Sequence, residues 1–288
     1  MNKKNKPWIF TANCTSVIGT VDVVTRFMAQ SGNYIDEIHS FDDRESNRFF
    51  IRIEFQPNSD SFNEEQFTAG FSPKAAEFDM QWQLTKPDHR PRVAILVSKY
   101  DHCLNDLLYR HRTGQLNIDI PVIISNHPDL EHLAQWHGIP YYHLPITKET
   151  KPQQEAEVMK LLKEYDTELL VLARYMQVLS AEMCDQLDGW AINIHHSLLP
   201  GFKGARPYHQ AWEKGVKMVG ATAHYVNNDL DEGPIIAQGI QSVGHAQYPE
   251  DLISKGQDIE RVTLFNAVRH HIEKRVFING SRTVVFSN

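Results

Sequence analysis

The sequence predicts an α/β protein: a doubly wound, mostly parallel sheet preceded by a small βαββαβ unit. Three observations lead there. Val93-Ala94-Ile95-Leu96-Val97 is an unbroken apolar run, as a strand buried on both faces of a parallel sheet requires. After it, short apolar runs alternate with helix-period segments as far as residue 194. Before it, the first 85 residues carry four strand-like stretches and only two helical ones.

In the leading segment, residues 8–14 read as a strand. Residues 18–31 read as a helix, with Ile18, Val21, Val24, Phe27 and Met28 at three-to-four spacing and Gly32 just past its end. A second strand covers 34–41, and Asp42 to Asn47 form a polar turn. Over 49–55, Phe49, Ile51, Ile53 and Phe55 alternate with Phe50, Arg52 and Glu54, which predicts a half-buried strand. A helix over 64–76 and a strand over 78–84 complete the βαββαβ order of a ferredoxin-like unit. Lys86-Pro87-Asp88-His89-Arg90-Pro91-Arg92 is polar with two prolines, so residues 86–92 are expected to link a domain at 1–85 to another at 93–288.

In the second segment, strands are expected at 93–97, 118–124, 141–144, 169–173 and 191–194, with helices at 104–112, 128–137, 153–165 and 181–187 between them. A short helix at 207–214, strands at 221–226 and 235–243, a long helix at 250–274 and strands at 276–278 and 283–286 follow. Ligands of such sheets bind beyond the carboxyl ends of the strands.

The 288 residues, 41% hydrophobic and 23% charged, suit a soluble globular protein of two domains. A net charge of -7 argues against a nucleic-acid binder, and no run has transmembrane length, so no membrane partner is expected. Cys14, Cys103 and Cys184 form no C-x-x-C pair, and the fifteen histidines include no H-E-x-x-H. A reduced, cytoplasmic protein with no metal site is the expectation.

The chemistry-bearing residues sit at one strand end and one turn: Asn193-Ile194-His195-His196-Ser197-Leu198-Leu199-Pro200 and Asp231-Glu232-Gly233-Pro234. Singly, each has a plain structural use. Asn193 could close a strand, His195 could be a satisfied histidine and Asp231 a turn former. Together, an amide donor, an imidazole and a carboxylate can stabilise an oxyanion and move protons at a carbonyl carbon. His196 and Glu232, one residue on, are expected to face elsewhere. No G-x-S-x-G elbow surrounds Ser197, which is expected to cap a turn.

In spacing and flanks these two motifs resemble the tetrahydrofolate-dependent formyltransferase family, over roughly residues 92–280. The resemblance implies Asn193, His195 and Asp231 as the catalytic trio, with His196, Ser197, Thr222 and His224 behind it. It places the folate along Arg174-Tyr175-Met176-Gln177-Val178-Leu179 and the loop from Asn227 and Asn228 to Asp231. Gln177 stands where the family often has arginine, which implies a looser hold on the glutamate tail. The histidine pair, with Gly204-Ala205-Arg206-Pro207-Tyr208-His209-Gln210-Ala211 and Gly220-Ala221-Thr222-Ala223-His224-Tyr225, resembles the hydrolytic branch. That branch cleaves 10-formyltetrahydrofolate to formate and tetrahydrofolate, supplying formate for purine synthesis; the folate is substrate, and no cofactor is implied. Family transferases acting on glycinamide ribonucleotide carry a Gly-rich turn after the first strand for the acceptor phosphate. Here that turn is Ser98-Lys99-Tyr100-Asp101-His102-Cys103, crowded and acidic, unless Asp101 merely caps a helix.

The leading unit resembles an ACT domain, with Cys14-Thr15-Ser16-Val17-Ile18-Gly19 where relatives carry Cys-Pro-Asp-x-x-Gly. This implies a homo-oligomer, and either an amino-acid effector such as glycine or methionine or a pairing module without ligand. Two other activities stay open: formyl transfer to an amine of a sugar, nucleotide or tRNA, and a non-catalytic folate or amino-acid sensor.

Overall fold

A computed structural model describes residues 6–58, 62–201 and 207–287, of Pro207 the backbone alone. The chain divides into two compact units, residues 1–89 with 286–288, and residues 90–285.

The first unit runs β1 (Trp8–Thr15), α1 (Thr20–Gln30), β2 (Asn33–Asp43), β3 (Arg48–Pro57), α2 (Glu64–Glu77) and β4 (Gln81–Thr85). Its antiparallel sheet has the order β2-β3-β1-β4, the expected ferredoxin-like pattern. Helix α1 begins later than its apolar spacing predicts because Gly19 sits at φ 99, in the left-handed region that glycine tolerates. Gly32, at φ 71, ends it. The last strand also starts late: the amide of Phe78 still bonds the Ala75 carbonyl, and Asp79 turns the chain at φ 48. Phe10, Phe27, Phe55, Phe67 and Phe71 pack with Met28 and the β3 isoleucines into the core. Strand β3 departs from the half-buried reading, since Phe50 and Arg52 on its other face are buried too. Arg52 is tolerated there because its guanidinium meets Glu37 at 3.2 Å and Glu54 at 2.6 Å.

The second unit continues with β5 (Val93–Val97), α3 (His102–Arg112), β6 (Ile123–Ser125), α4 (Glu131–Trp136), β7 (Tyr141–His143), α5 (Lys151–Glu164), β8 (Leu169–Leu172), α6 (Ala181–Gln186) and β9 (Ala191–His195). Then come α7 (Pro207–Glu213), β10 (Met218–Tyr225), β11 (Ile235–Ser242), α8 (Pro249–Ile272) and a hairpin of β12 (Val276–Asn279) and β13 (Arg282–Val285). Strand β6 is shorter than the apolar run 118–124. Pro121 has no N–H for the ladder, and only an isolated bridge at Asp119 precedes it.

The seven strands lie in the order β11-β10-β9-β8-β5-β6-β7. Five are parallel, while β10 and β11 are antiparallel additions. Alternate residues of β5 feed opposite layers: Val93, Ile95 and Val97 pack with Leu104, Leu264 and Val268, and Ala94 and Leu96 with Val158, Leu161 and Met183. The chain leaves β5 toward β6 and β7, then returns to β8 on the other side of β5. Sheets of this kind open a crevice where the winding reverses, between the carboxyl ends of two such strands. The Ser98 hydroxyl bridges that crevice, donating to Asn126 Oδ1 at 2.7 Å and accepting the Met176 amide at 3.0 Å.

Candidate active site

Beyond those strand ends lies a cavity of about 610 Å³, a volume that suits a cofactor-sized ligand. Segments 174–179, 193–196 and 226–231 line it with Tyr100, His102, Tyr208, Ile253 and Glu260 among others.

Strand β9 delivers Asn193 and His195, and β10 pairs antiparallel with it so that His224 lies opposite Asn193 and Thr222 opposite His195. Cross-strand neighbours stand close enough for side chains to touch. Asn193 Nδ2 accordingly lies 3.2 Å from His224 Nε2. His224 Nδ1 meets the Tyr225 carbonyl at 2.8 Å, so it carries the proton, and Nε2 is left to accept the Asn193 amide in the neutral ring. Thr222 stitches down the loop after β9: its hydroxyl donates to the Ser197 carbonyl at 2.9 Å and accepts the Leu199 amide at 3.0 Å. Gln238 of β11 adds a bond to the Leu199 carbonyl at 3.0 Å.

The turn after β10 brings in Asp231. Gly233 packs so tightly that a Cβ there would lie 1.7 Å from the Tyr225 carbonyl oxygen. Only glycine lets the turn fold back, where the Pro234 carbonyl accepts the Tyr225 amide at 2.9 Å. Asp231 sits at φ 58, a left-handed conformation that aspartate adopts more readily than most residues. Its Oδ2 is 3.2 Å from His195 Nδ1, and its Oδ1 is 3.7 Å from His224 Nε2. Burial favours the neutral acid, but the lowering contacts, led by the His195 hydrogen bond, outweigh it and hold the Asp231 carboxyl well below the usual carboxylate range. Since a carboxylate only accepts, His195 Nδ1 is the donor. The other ring nitrogen, Nε2, is buried and has no hydrogen-bond partner among the described residues. The arrangement offers an oriented imidazole, an amide and an ionised carboxylate on one cavity wall, the set that carbonyl chemistry uses.

The sequence-predicted residues distribute as follows. Asn193, His195, Asp231, Met176, Gln177, Val178, Leu179, Asn227 and Asn228 all line this one cavity. Met176 and Val178 present half-exposed apolar surface, Asn227 Oδ1 is a buried acceptor without a partner among the described residues, and the Asn228 amide donates to Asp185. Glu232 is exposed and outside the lining, while Ser197 donates to the Gly201 carbonyl at 2.9 Å within its turn. Asp101 precedes α3 without capping a backbone amide; its carboxylate takes the Asn105 side chain at 2.9 Å. Gly204, Ala205 and Arg206 of the third motif fall outside the described residues.

His196 is a correction: it does not point away but lines the cavity beside His195, their ring centroids 5.0 Å apart. Strand β9 ends at His195, so alternation no longer applies one residue later. Burial, with the Arg174 charge next, pushes the His196 imidazole down to about 4.

Sequence reasoning missed Glu260 of α8, buried against His102, Tyr208 and Arg174. A signal was present, since a glutamate at 260 falls on the apolar stripe of Leu252, Ile259 and Leu264, one turn after Gly256. His102, Cys103 and Glu260 also bring three ligand-type atoms within 4.8 Å of one another. Arg174 Nε stands 3.4 Å from the same carboxylate, and burial raises the Cys103 thiol well above its ordinary range, so a cation would meet a guanidinium and a neutral thiol there.

Fold and site together define a class. The chain belongs to the formyl transferase family, whose family model matches residues 91–268. Within that family its likeness is to the formyltetrahydrofolate deformylases. It is 50% identical over 277 residues to the one from Corynebacterium sp. (strain P-1), covering 96% of this chain and 97% of that protein. A crystal structure of a formyltetrahydrofolate deformylase from Pseudomonas putida KT2440 superposes with a TM-score of 0.92 at 62% identity, covering 97% of this chain and 99% of that one. A glycinamide ribonucleotide transformylase from Symbiobacterium toebii superposes at 0.64 and 32% identity over 69% of this chain and 95% of its own.

Proposed function

We propose that this protein hydrolyses 10-formyltetrahydrofolate to formate and tetrahydrofolate. The observation that carries the reading is the Asp231–His195 contact, which leaves a buried imidazole nitrogen with no partner among the described residues, in the cavity that Asn193 also lines. The N10-formyl oxygen lies against Asn193 Nδ2 and His195 Nε2; both donate to it as it becomes an oxyanion, the imidazole as the doubly protonated cation that the Asp231 carboxylate holds. Asp231 holds a water and takes its proton while the oxygen bonds the formyl carbon. The carbon–N10 bond then breaks, and N10 gains a proton. The pterin lies along Met176, Gln177, Val178 and Leu179 and the 227–231 loop; Thr222, His224, His196 and Ser197 hold the reacting groups in place. No cofactor enters the scheme.

The first unit completes the proposal as an ACT-like module that pairs subunits and receives an amino-acid effector. Its outermost strand β2 supports the pairing, with Tyr34, Ile38 and Phe41 exposed on it. A cytoplasmic location accords with the free cysteines and with the lack, among the described residues, of a helix long and apolar enough to cross a membrane.

The test is an acceptor-free assay with 10-formyltetrahydrofolate, with and without glycine or methionine. Formate and tetrahydrofolate are expected in equal amounts. Turnover only when an amine is supplied would make the protein a transferase, and folate binding without turnover would make it a sensor.

A further inference from the structure

We propose that a second group of side chains in this cavity, Tyr100, His102, Arg174, Tyr208 and Glu260, selects the nucleophile: it closes the acceptor side to amines and leaves room for water. The proposal rests on the hydrolytic reading above.

Neither oxyanion stabilisation nor proton transfer uses these residues, yet the fold takes trouble to bring them together. They come from the β5–α3 turn, the first residue of α3, the segment just after β8, α7 and α8. Glu260, 1% exposed, takes the His102 imidazole on Oε2 and the Tyr208 hydroxyl on Oε1, both at 2.8 Å. Arg174 Nε is 3.4 Å from Oε2, and its guanidinium lies 5.0 Å from the centre of the Tyr100 ring. Burial favours a neutral Glu260, but His102 and Arg174 outweigh it and keep it ionised. Two backbone features serve this group. Arg174 adopts a left-handed φ of 66, unusual for a long side chain. Gly256 leaves the space for Tyr208, whose hydroxyl would lie 1.9 Å from a Cβ at that position. The group adjoins the reacting residues through His196, whose ring lies 5.0 Å from that of His195 and 6.3 Å from that of Tyr208.

The two reactions differ only in the nucleophile. In transfer, a bond forms between the formyl carbon and an amine nitrogen, the carbon–N10 bond breaks, the amine loses a proton and N10 gains one. In hydrolysis, a carbon–oxygen bond forms, the same carbon–N10 bond breaks, one water proton ends on N10 and the other is released as formate ionises. An amine brings a substituent that has to sit beside the formyl group. Here that substituent would part a buried carboxylate from its donors and leave a charge unpaired, the costly way to open such a network. Water occupies only about 30 Å³ and asks for none of this.

The test compares wild type with His102→Ala, Tyr100→Ala and the double variant, all as full chains, given 10-formyltetrahydrofolate with hydroxylamine or glycinamide. The readout is the ratio of formylated amine to formate, which a general loss of activity does not move. Wild type is expected to yield formate with only a trace of formylated amine, which sets the reference ratio. The double variant should raise the ratio about tenfold, equivalent to ~1.4 kcal/mol. His102→Gln, which keeps an N–H for Glu260, should bring it back toward wild type. Glu260→Gln, which keeps the bulk and removes the charge, serves if the double variant does not fold, and it too should raise the ratio. Formate release in every variant at an unchanged ratio overturns this proposal alone. Absence of formate from acceptor-free wild type overturns the hydrolytic reading, and this proposal with it.

Discussion

Replacing Asp231 by asparagine tests the chemistry most directly. At φ 58 an alanine would add backbone strain to the loss of charge, whereas asparagine adopts this conformation as readily as aspartate and keeps its volume. The substitution therefore removes the negative charge 3.2 Å from His195 Nδ1 and the acceptor for a water proton, and leaves the Gly233 turn alone. A positioned general base contributes roughly 10²–10⁴-fold to rate. The expected loss in kcat is of that size, equivalent to about 2.7–5.4 kcal/mol. KM should change little, because the proposed pterin wall at 176–179 is untouched. Formate release measured in a single turnover at saturating substrate gives the number. A rate within tenfold of wild type, with the fold intact by circular dichroism, would remove Asp231 from the role of base.

Asn193→Ala should lower transition-state stabilisation by ~2.7–4 kcal/mol, read as kcat/KM, with a small change in melting temperature. Gly256→Ala should destabilise by about 1–3 kcal/mol, because the added methyl meets the Tyr208 hydroxyl 1.9 Å away; a urea melt checks this. His196, held down to about 4 from an ordinary 6.5, binds fewer protons folded than unfolded between those values. Stability from this group is therefore full above the ordinary value and falls as pH drops toward the lowered one, by about 2 kcal/mol at pH 5. His271, pushed down by burial to about 3, adds a loss of the same sign, so urea midpoints at pH 7 and pH 5 compared between wild type and His196→Gln isolate the His196 share, and the variant should lose less between the two.

Much of this molecule is local. The apolar run of β5, the alternation of β3 and the spacing in α1 reflect periods of two and 3.6 residues, which short stretches of chain dictate by themselves. Their limits moved where one residue changed the backbone, as Gly19 and Pro121 did. The turn that presents Asp231 was legible for the same reason, since Gly233 and Pro234 define it within four residues.

What the sequence alone determined is this set of elements and the presence of an amide and an imidazole at one strand end and a carboxylate in one turn. Only the tertiary structure decided their company. His224 meets Asn193 because the register of β10 on β9 sets them opposite each other, and His196 faces the cavity because β9 stops one residue before it. Glu260 meets His102 across 158 residues of chain because α8 packs over the sheet beside α3. Register and helix docking are chosen by the summed packing of a whole core, and no short stretch of sequence carries that sum.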